Sequence, residues 1–269
     1  MVEQPVLDME LSVSESSRAK RTMKLITSIV KSRGVLLIQF EVVVLLPVLL
    51  AGWWVFGYLG GLDWSSENSY KFNWHPLAMI IAFILLLGNA AVSYRLFPFG
   101  RSTNKKIHAT LNLLAIVFIV FGLVAVLEYH ADWGYNNFYS LHSWCGLVTL
   151  TAFIALALFS AAVFQDFDRT KLTELRGNFK PLHIFLGVFL VFSAVIAIET
   201  GIVEKAMFRE KSGDLVWENY TTEGFLINLL CSSVLLVLLY TIYILYTLST
   251  VIVQEPLFPH SPGNSRLQT

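Results

Sequence analysis

Charged residues and cysteines are both scarce in this sequence of 269 residues. Asp, Glu, Lys and Arg make up 14% of the chain, whereas a soluble domain carries roughly 25%. A protein whose whole surface faces water is therefore excluded. The two cysteines are too few for a disulfide framework or a cysteine-based zinc site. Hydrophobic residues dominate instead, at 55% of the chain with a mean hydropathy of +0.63.

Apolar residues are gathered into six runs of about membrane-spanning length, at residues 35–58, 77–94, 108–127, 141–164, 182–203 and 225–253. A spanning helix needs about 20 apolar residues. The second run is the shortest, and we expect its first turn to include His75 and Pro76. The sequence therefore predicts an all-α membrane domain of six transmembrane helices at residues 34–253. A polar, disordered tail is expected at residues 1–33 and a second tail at residues 254–269.

Basic residues are distributed unequally between the two sides of this predicted bundle. Six spans put both termini on one side, and that side holds all but four of the 19 Lys and Arg residues; the exceptions are Lys71, Lys205, Arg209 and Lys211. Because loops on the cytoplasmic side carry the excess of Lys and Arg, both termini are predicted to be cytoplasmic. This side is called the inner face below, and the opposite side the outer face. All seven Trp residues and the glycosylation sequon at Asn219 then fall on the outer face.

Four of the six histidines occur where predicted spans begin. His75 and His142 belong to spans that start at the outer face, and His108 and His183 to spans that start at the inner face. A histidine at such a position costs free energy unless its imidazole has a use. The pattern predicts one histidine pair near each face, each able to clamp a flat macrocycle between two helices. No C-x-x-C-H motif is present, so a haem held there would be a non-covalent b-type haem.

Two glycines support this interpretation. Gly146 follows His142 by four residues, and Gly187 follows His183 by four. Residues four apart lie on the same helical face, so each glycine leaves room for a porphyrin edge beside its histidine. Iron with a histidine on both axial positions has no open position for oxygen, which favours electron transfer. Two such haems near opposite faces would carry electrons across the membrane.

Two other function classes fit the same composition. One is a polytopic transporter or channel with structural histidines and no haem. Transport sites usually lie near the bilayer midplane, and no Asp or Glu lies in the middle of a predicted span. The other is a haem-binding module that relays electrons to a partner without reducing a small molecule itself. Haem absorbance would distinguish the transporter, because a transporter without haem would be colourless.

Several motifs occur in a specific order over residues 60–208: GGLDW, FNWHP, KKIHATLN, NFYSLHSW, LRGNFKPLH and GIVEKAMF. A chain with these motifs resembles the cytochrome b561 family of six-helix dihaem oxidoreductases, which pass electrons from ascorbate across membranes. The resemblance implies that His75 and His142 bind the outer haem. It implies that His108 and His183 bind the inner haem, and that the protein forms a homodimer.

The resemblance also implies a cytoplasmic ascorbate site. The residues that match the family's basic positions best are Lys105 and Arg176, with Arg101 and Lys106 nearby. Ascorbate is a monoanion at neutral pH, and Lys or Arg attract such an anion and donate charge-assisted hydrogen bonds to it. The alternative is that these residues only satisfy the positive-inside bias or pair with haem propionates.

On the outer face, the resemblance implies that His130 and Tyr139 serve the electron acceptor, either monodehydroascorbate or ferric iron. His130 is expected to be exposed in a loop at residues 128–140. Glu204 and Lys205 match the family's EK pair after the fifth span, and a structural role is expected for them.

Overall fold

The computed structural model describes residues 32–164, 173–215 and 221–254, with side chains described as far as residue 248. These residues form six long helices and no strand. The helices are α1 (Ser32–Gly57), α2 (Ser69–Leu96), α3 (Arg101–Trp133), α4 (Leu141–Phe164), α5 (Thr173–Lys211) and α6 (Thr222–Gln254). Each is long and apolar enough to cross a membrane. The predicted all-α, multi-pass fold is confirmed.

Helix α2 is irregular, and its first turns determine the position of His75. It opens with a 3₁₀ turn (Ser69–Asn73), and the following α-helical turns are interrupted by a π-helical segment (Ile81–Leu86). The Asn73 side chain donates hydrogen bonds to the carbonyls of Leu59 and Gly61, at 2.9 and 2.8 Å. Gly61 and its neighbour Gly60 have φ near +86°, a conformation that glycine adopts without steric cost. The loop before His75 is therefore fixed by its own sequence.

The helices pack as a bundle in which α2 and α5 are central. Helix α2 contacts α3, α5 and α6, and α5 also contacts α4 and α6. Helix α1 lies against α2 and α6: a Cβ built on Gly88 of α2 would lie 3.6 Å from Val44, and the rings of Phe40 and Tyr240 stack with centres 6.4 Å apart. The four histidine-bearing helices α2 to α5 thus lie next to one another, and α1 and α6 cover one side of them.

A buried ion pair joins α1, α5 and α6 at the outer end of the bundle. Glu223 is only 4% exposed, and its two carboxylate oxygens accept from Arg209 Nε and Nη2 at 2.6 and 2.9 Å. Trp54 Nε1 donates to the same carboxylate at 2.8 Å. Loss of one partner from such a buried pair leaves an uncompensated charge, so this cluster holds the outer ends of three helices in register.

Three predictions from hydropathy were wrong in detail. Helix α3 begins at Arg101, so His108 lies two turns inside it. Helix α5 begins at Thr173, not at residue 182 where the apolar run begins, and it contains Pro181. His130 lies in the last turn of α3 and is partly buried, not exposed in a loop. In each case the helix continues through polar residues that the apolar run does not include.

Some predictions concern residues outside those that the structure describes. The first 31 residues, most of the C-terminal tail and the sequon at Asn219 belong to this group. So does most of the basic fourth loop, at residues 165–172. The orientation of the termini also stays a prediction from the charge distribution.

Candidate haem sites

The structure brings the four histidines of the predicted sites together in two pairs. The ring centres of His75 on α2 and His142 on α4 lie 6.0 Å apart. Those of His108 on α3 and His183 on α5 lie 6.1 Å apart. The first pair is called the outer pair and the second the inner pair. Each pair joins two helices that run in the same direction, as the order of the spans requires.

Three of the four imidazoles are oriented by backbone carbonyls. Nδ1 of each ring lies 2.8 to 3.0 Å from a carbonyl oxygen, with His75 bonded to Gly122, His108 to Ala90 and His142 to Ala197. A carbonyl oxygen only accepts hydrogen bonds, so Nδ1 carries the ring proton in each case. The lone pair then lies on Nε2, the atom that faces away from the bond. Metal-ligating histidines use this arrangement, in which the second nitrogen donates to a fixed acceptor.

The fourth imidazole, His183, has a different partner. Its Nδ1 lies 2.9 Å from the hydroxyl oxygen of Ser160 on α4. The rings of Phe164 and Phe179 pack against it, with centres 5.5 and 5.9 Å from that of His183. The inner pair therefore combines one carbonyl-bonded ring with one hydroxyl-bonded ring.

The separation of each pair fits one iron between two imidazoles. Two rings bound through Nε2 on opposite sides of a metal have centres about 6.2 Å apart, because the metal–nitrogen bond is about 2.0 Å and the ring radius about 1.1 Å. The observed 6.0 and 6.1 Å agree with this value. Aromatic pairs without a metal also have ring centres 4.5–7 Å apart, so the separation is compatible with an iron and the hydrogen bonds of Nδ1 carry the assignment.

Glycines shape the space beside the rings in two ways. A Cβ built on Gly146 or Gly187 would meet no described atom within 4 Å, so the space one turn beyond His142 and His183 is open. A Cβ on Gly201 of α5 would instead lie 2.7 Å from Cε1 and 2.8 Å from Nδ1 of His142. Real contacts of this kind do not occur, so α5 can approach His142 this closely only with glycine at position 201.

Comparisons with known proteins agree with this geometry. Residues 74–209 match the sequence model described as eukaryotic cytochrome b561. The transmembrane ascorbate-dependent reductase CYB561 of Bos taurus is 35% identical over 216 residues, which cover 79% of this chain and 81% of the relative. The chain belongs to the eukaryotic cytochrome b561 family. The resemblance drawn from the motifs is confirmed.

Relatives from two other organisms are similarly close in sequence. The human protein of the same name is 36% identical over 186 residues, or 68% of this chain and 70% of the relative. Transmembrane ascorbate ferrireductase 2 of Arabidopsis thaliana is 37% identical over 178 residues, or 65% of this chain and 75% of the relative. Membership of the cytochrome b561 family implies binding of haem b and an integral, multi-pass position in a membrane.

The basic residues predicted for ascorbate divide into two groups in this cytochrome b561 fold. Lys105 Nζ donates to the carbonyl of Phe164 at 2.7 Å, and Arg176 Nε donates to the carbonyl of Val163 at 2.9 Å. Both cations thus converge on the carboxyl end of α4, beside the inner pair. Lys106 and Arg101 are exposed on the first turns of α3.

The residues predicted for the acceptor lie at the outer end. His130 Nδ1 lies 2.7 Å from Asn137 Oδ1, which accepts, so the Nε2 lone pair remains for another partner. Tyr139 is 60% exposed. Partial burial, and after it the charge and hydrogen bond of Glu204, raise the pKa of Tyr139 above its ordinary value. Its hydroxyl therefore keeps its proton at neutral pH and can donate a hydrogen bond.

Two contacts of the histidines were not predicted from the sequence. Ser160 and Gly201 lie 23 and 59 residues from the histidines that they contact. No local motif connects residues at these distances. Gly201 occurs one helical turn after Ala197, whose carbonyl holds His142, but this spacing has a meaning only once α4 and α5 are known to be neighbours.

Proposed function

We propose that this protein transfers electrons across a membrane from cytoplasmic ascorbate to an acceptor at the outer face. His75 and His142 hold one haem b, and His108 and His183 hold the second. The observation that carries the proposal is the hydrogen bonding of the four imidazoles. Every Nδ1 has a hydrogen-bond partner; in three rings that partner is a carbonyl, which leaves the lone pair on Nε2, and in His183 the Ser160 hydroxyl can accept from Nδ1 in the same way.

The residues around each iron determine what the site can do. A bound haem with two histidine ligands supplies a one-electron couple and no open coordination position. The histidines fix the ring orientation through their Nδ1 partners, and the small residues beside them leave space for the macrocycle. Helices α2 to α5 keep the two pairs in a rigid frame. Little rearrangement of the protein is then needed when an electron arrives or leaves.

We place ascorbate at the inner face, beside Lys105 and Arg176. The names of the relatives describe ascorbate-dependent reductases, and membership of this family supports ascorbate as the electron donor. Both cations lie at the carboxyl end of α4, next to the inner pair, where they can donate charge-assisted hydrogen bonds to the enolate oxygen of ascorbate. Lys106 and Arg101 add positive charge that attracts the anion.

We place the acceptor at the outer face, beside His130 and Tyr139. The acceptor is monodehydroascorbate or ferric iron; the Arabidopsis relative is named a ferrireductase. The Nε2 lone pair of His130 can ligate ferric iron or accept a hydrogen bond, and Tyr139, whose hydroxyl is hydrogen-bonded to Glu204, lies in the adjoining loop. The same family resemblance supports a homodimer in the membrane.

Haem content per polypeptide tests the proposal directly. We expect close to two b-type haems in detergent-purified protein by the pyridine haemochrome assay, and largely reduced haem after addition of ascorbate. A folded protein that was expressed with haem available and carries none would support a transporter with structural histidines. Two haems that ascorbate reduces only slowly would support an electron relay to another partner.

A further inference from the structure

Lys205 on α5 has an unusual environment for a lysine. Its side chain is partly buried, and Nζ lies 4.5 Å from the ring centre of Phe72. Within the residues that the structure describes, no hydrogen bond or ion pair reaches this ammonium group. A cation–π contact contributes less than full hydration of an ammonium ion. The ammonium group is therefore partly withdrawn from water without a direct ion pair to a described carboxylate, although the charges of Asp214 and Glu223 act on it at longer range.

The other basic residues of the outer face are satisfied or exposed. Lys71, only 5% exposed, is paired with Asp132 at 2.6 Å and Glu128 at 3.4 Å. Arg209 is paired with Glu223 at 2.6 Å. Lys211 is exposed. Lys205 thus differs from these residues because it is partly buried and has no direct ion pair.

The position of Lys205 is tied to both ligands of the outer pair. Along α5, the carbonyl of Ala197 accepts from His142, Gly201 touches the His142 ring one turn later, and Lys205 follows after one further turn. Residues four apart lie on one helical face, so Lys205 continues the stripe that faces His142. On its other side is Phe72, whose ring centre lies 6.1 Å from that of His75. The ammonium group therefore lies between the two ligand-bearing segments, on the outward side of both.

We propose that Lys205 is the binding group for an organic carboxylate or enolate at the outward edge of the outer haem site. This inference rests on the proposed function, because that function is what brings such anions to the site. Two sources share the chemistry. One is a propionate of the outer haem itself, and the other is the monodehydroascorbate anion as acceptor. Either one would supply the direct anionic contact that no described residue makes with Lys205.

The propionate source is favoured by geometry. A propionate belongs to the same ligand that His75 and His142 hold, and Lys205 lies one turn beyond their contacts. Predicted acceptor residues approach from the other direction: the neighbouring residue Glu204 contacts Ser140 at 3.1 Å, in the loop that carries Tyr139. Lys205 continues the helical stripe of Ala197 and Gly201, which contact His142, so we expect it to act on the haem before it acts on the acceptor.

The test replaces Lys205 with Met, which keeps the length and removes the charge. Haem content and the midpoint potential of each haem are measured in purified protein without substrate. Each haem gives one wave in the redox titration, and a His183→Ala variant that retains the outer haem shows which wave belongs to it. Loss of a positive charge disfavours the reduced state. We expect the midpoint potential of the outer haem to fall by about 59 mV, which corresponds to a tenfold change in the ratio of oxidised to reduced haem. Lys205→Arg should restore the original potential.

Lys211→Met is the matched control, since it removes the same charge from an exposed position on the same helix. It should move neither wave. If Lys205→Met leaves haem content and both waves unchanged but raises the KM for monodehydroascorbate about tenfold at constant kcat, the anion is the acceptor. If neither the waves nor that KM changes, the anion site at Lys205 is wrong.

If the proposed function itself is wrong, a different result is expected. Wild-type protein without haem, or a His75→Ala variant that keeps both haems, would contradict the assignment of the outer pair whatever Lys205 does. The inference about Lys205 is therefore tested only after haem content has been measured in these two proteins.

Discussion

The two histidine pairs are built differently, although their ring separations are nearly equal. In the outer pair both imidazoles donate to backbone carbonyls. In the inner pair one imidazole donates to a carbonyl and the other is bonded to the hydroxyl of Ser160. A carbonyl position is determined by how helices pack, whereas a serine hydroxyl is determined by one side chain. The outer site is therefore sensitive to helix packing, and the inner site can be tuned by one substitution.

The basic residues around the two pairs also have different partners. At the inner end, Lys105 and Arg176 donate hydrogen bonds to the helix-end carbonyls of Phe164 and Val163. At the outer end, Lys71 and Arg209 are paired with carboxylates. Two cations thus lie together beside the inner pair, where the proposed function places an anionic donor.

Removal of a ligand should have the largest effect, and it tests whether the two sites are separate. His183→Ala is expected to lose the inner haem and keep most of the outer haem, because the outer pair contacts neither that residue nor its partner Ser160. His75→Ala should do the opposite. The pyridine haemochrome assay should report about one haem per chain in each variant. His130→Ala is the matched control and should keep both haems; equal loss of both haems in His183→Ala would mean that the pairing is wrong.

The dependence of the outer site on helix packing predicts a large effect of one methyl group. In Gly201→Ala the new Cβ would lie 2.7 Å from the His142 ring, which must then leave its hydrogen bond to Ala197. We expect outer-haem affinity to fall at least about tenfold, in line with other losses of ligand orientation, while the inner haem stays bound. Haem titration of the apoprotein measures this.

Gly177→Ala on the same helix provides the comparison for Gly201→Ala. Position 177 is exposed and a Cβ there meets nothing within 4 Å. Alanine is the better helix former, by about 0.5–1 kcal/mol, so this variant should be as stable as the parent and keep both haems. Unchanged outer-haem binding in Gly201→Ala would show that α5 can move away from His142 at little cost.

The position of Lys105 and Arg176 beside the inner pair predicts a kinetic effect of intermediate size. Lys105→Ala combined with Arg176→Ala should lower kcat/KM for reduction by ascorbate at least about tenfold, because a hydrogen bond to a charged group contributes about 1.5–3 kcal/mol and about 1.4 kcal/mol corresponds to a factor of ten. Reduction by dithionite should be unaffected. Stopped-flow absorbance measures both rates.

Lys180→Ala removes a positive charge from an exposed position on α5 and controls for a general loss of attraction. It should change the ascorbate rate much less than the double variant does. An ascorbate rate that is the same in the double variant and in the parent would exclude Lys105 and Arg176 from the donor site.

The histidines of both sites could be predicted from the sequence, but the residues that contact them could not. The histidines could be paired because helix direction follows from the order of the spans, and each histidine stands at the edge of an apolar run. The partners of those histidines could not be predicted in this way. Ser160 and Gly201 are small residues in apolar helices, where serine and glycine have many structural uses, and their roles depend on which helices are neighbours. Helix ends were predicted least well, because the ends of α3 and α5 are polar and hydropathy does not extend into them.

Ser160→Ala should have the smallest effect, and it tests whether the inner site is tuned by a side chain. A hydrogen bond from Nδ1 makes the imidazole a stronger electron donor to a metal, and a stronger donor stabilises the oxidised iron. Without the Ser160 hydroxyl, the inner haem is expected to have a higher midpoint potential. The shift should stay below about 59 mV, which is a tenfold change for a one-electron couple. Spectroelectrochemical titration would resolve the shift, with the outer haem as an internal standard.

Ser160→Thr keeps a hydroxyl at this position and should restore the original potential. A rise in the inner potential with alanine, reversed by threonine, would identify the hydroxyl and not the volume of the side chain as the cause. No shift in either variant would mean that His183 finds another acceptor at no cost. The two pairs would then be equivalent in ligand strength.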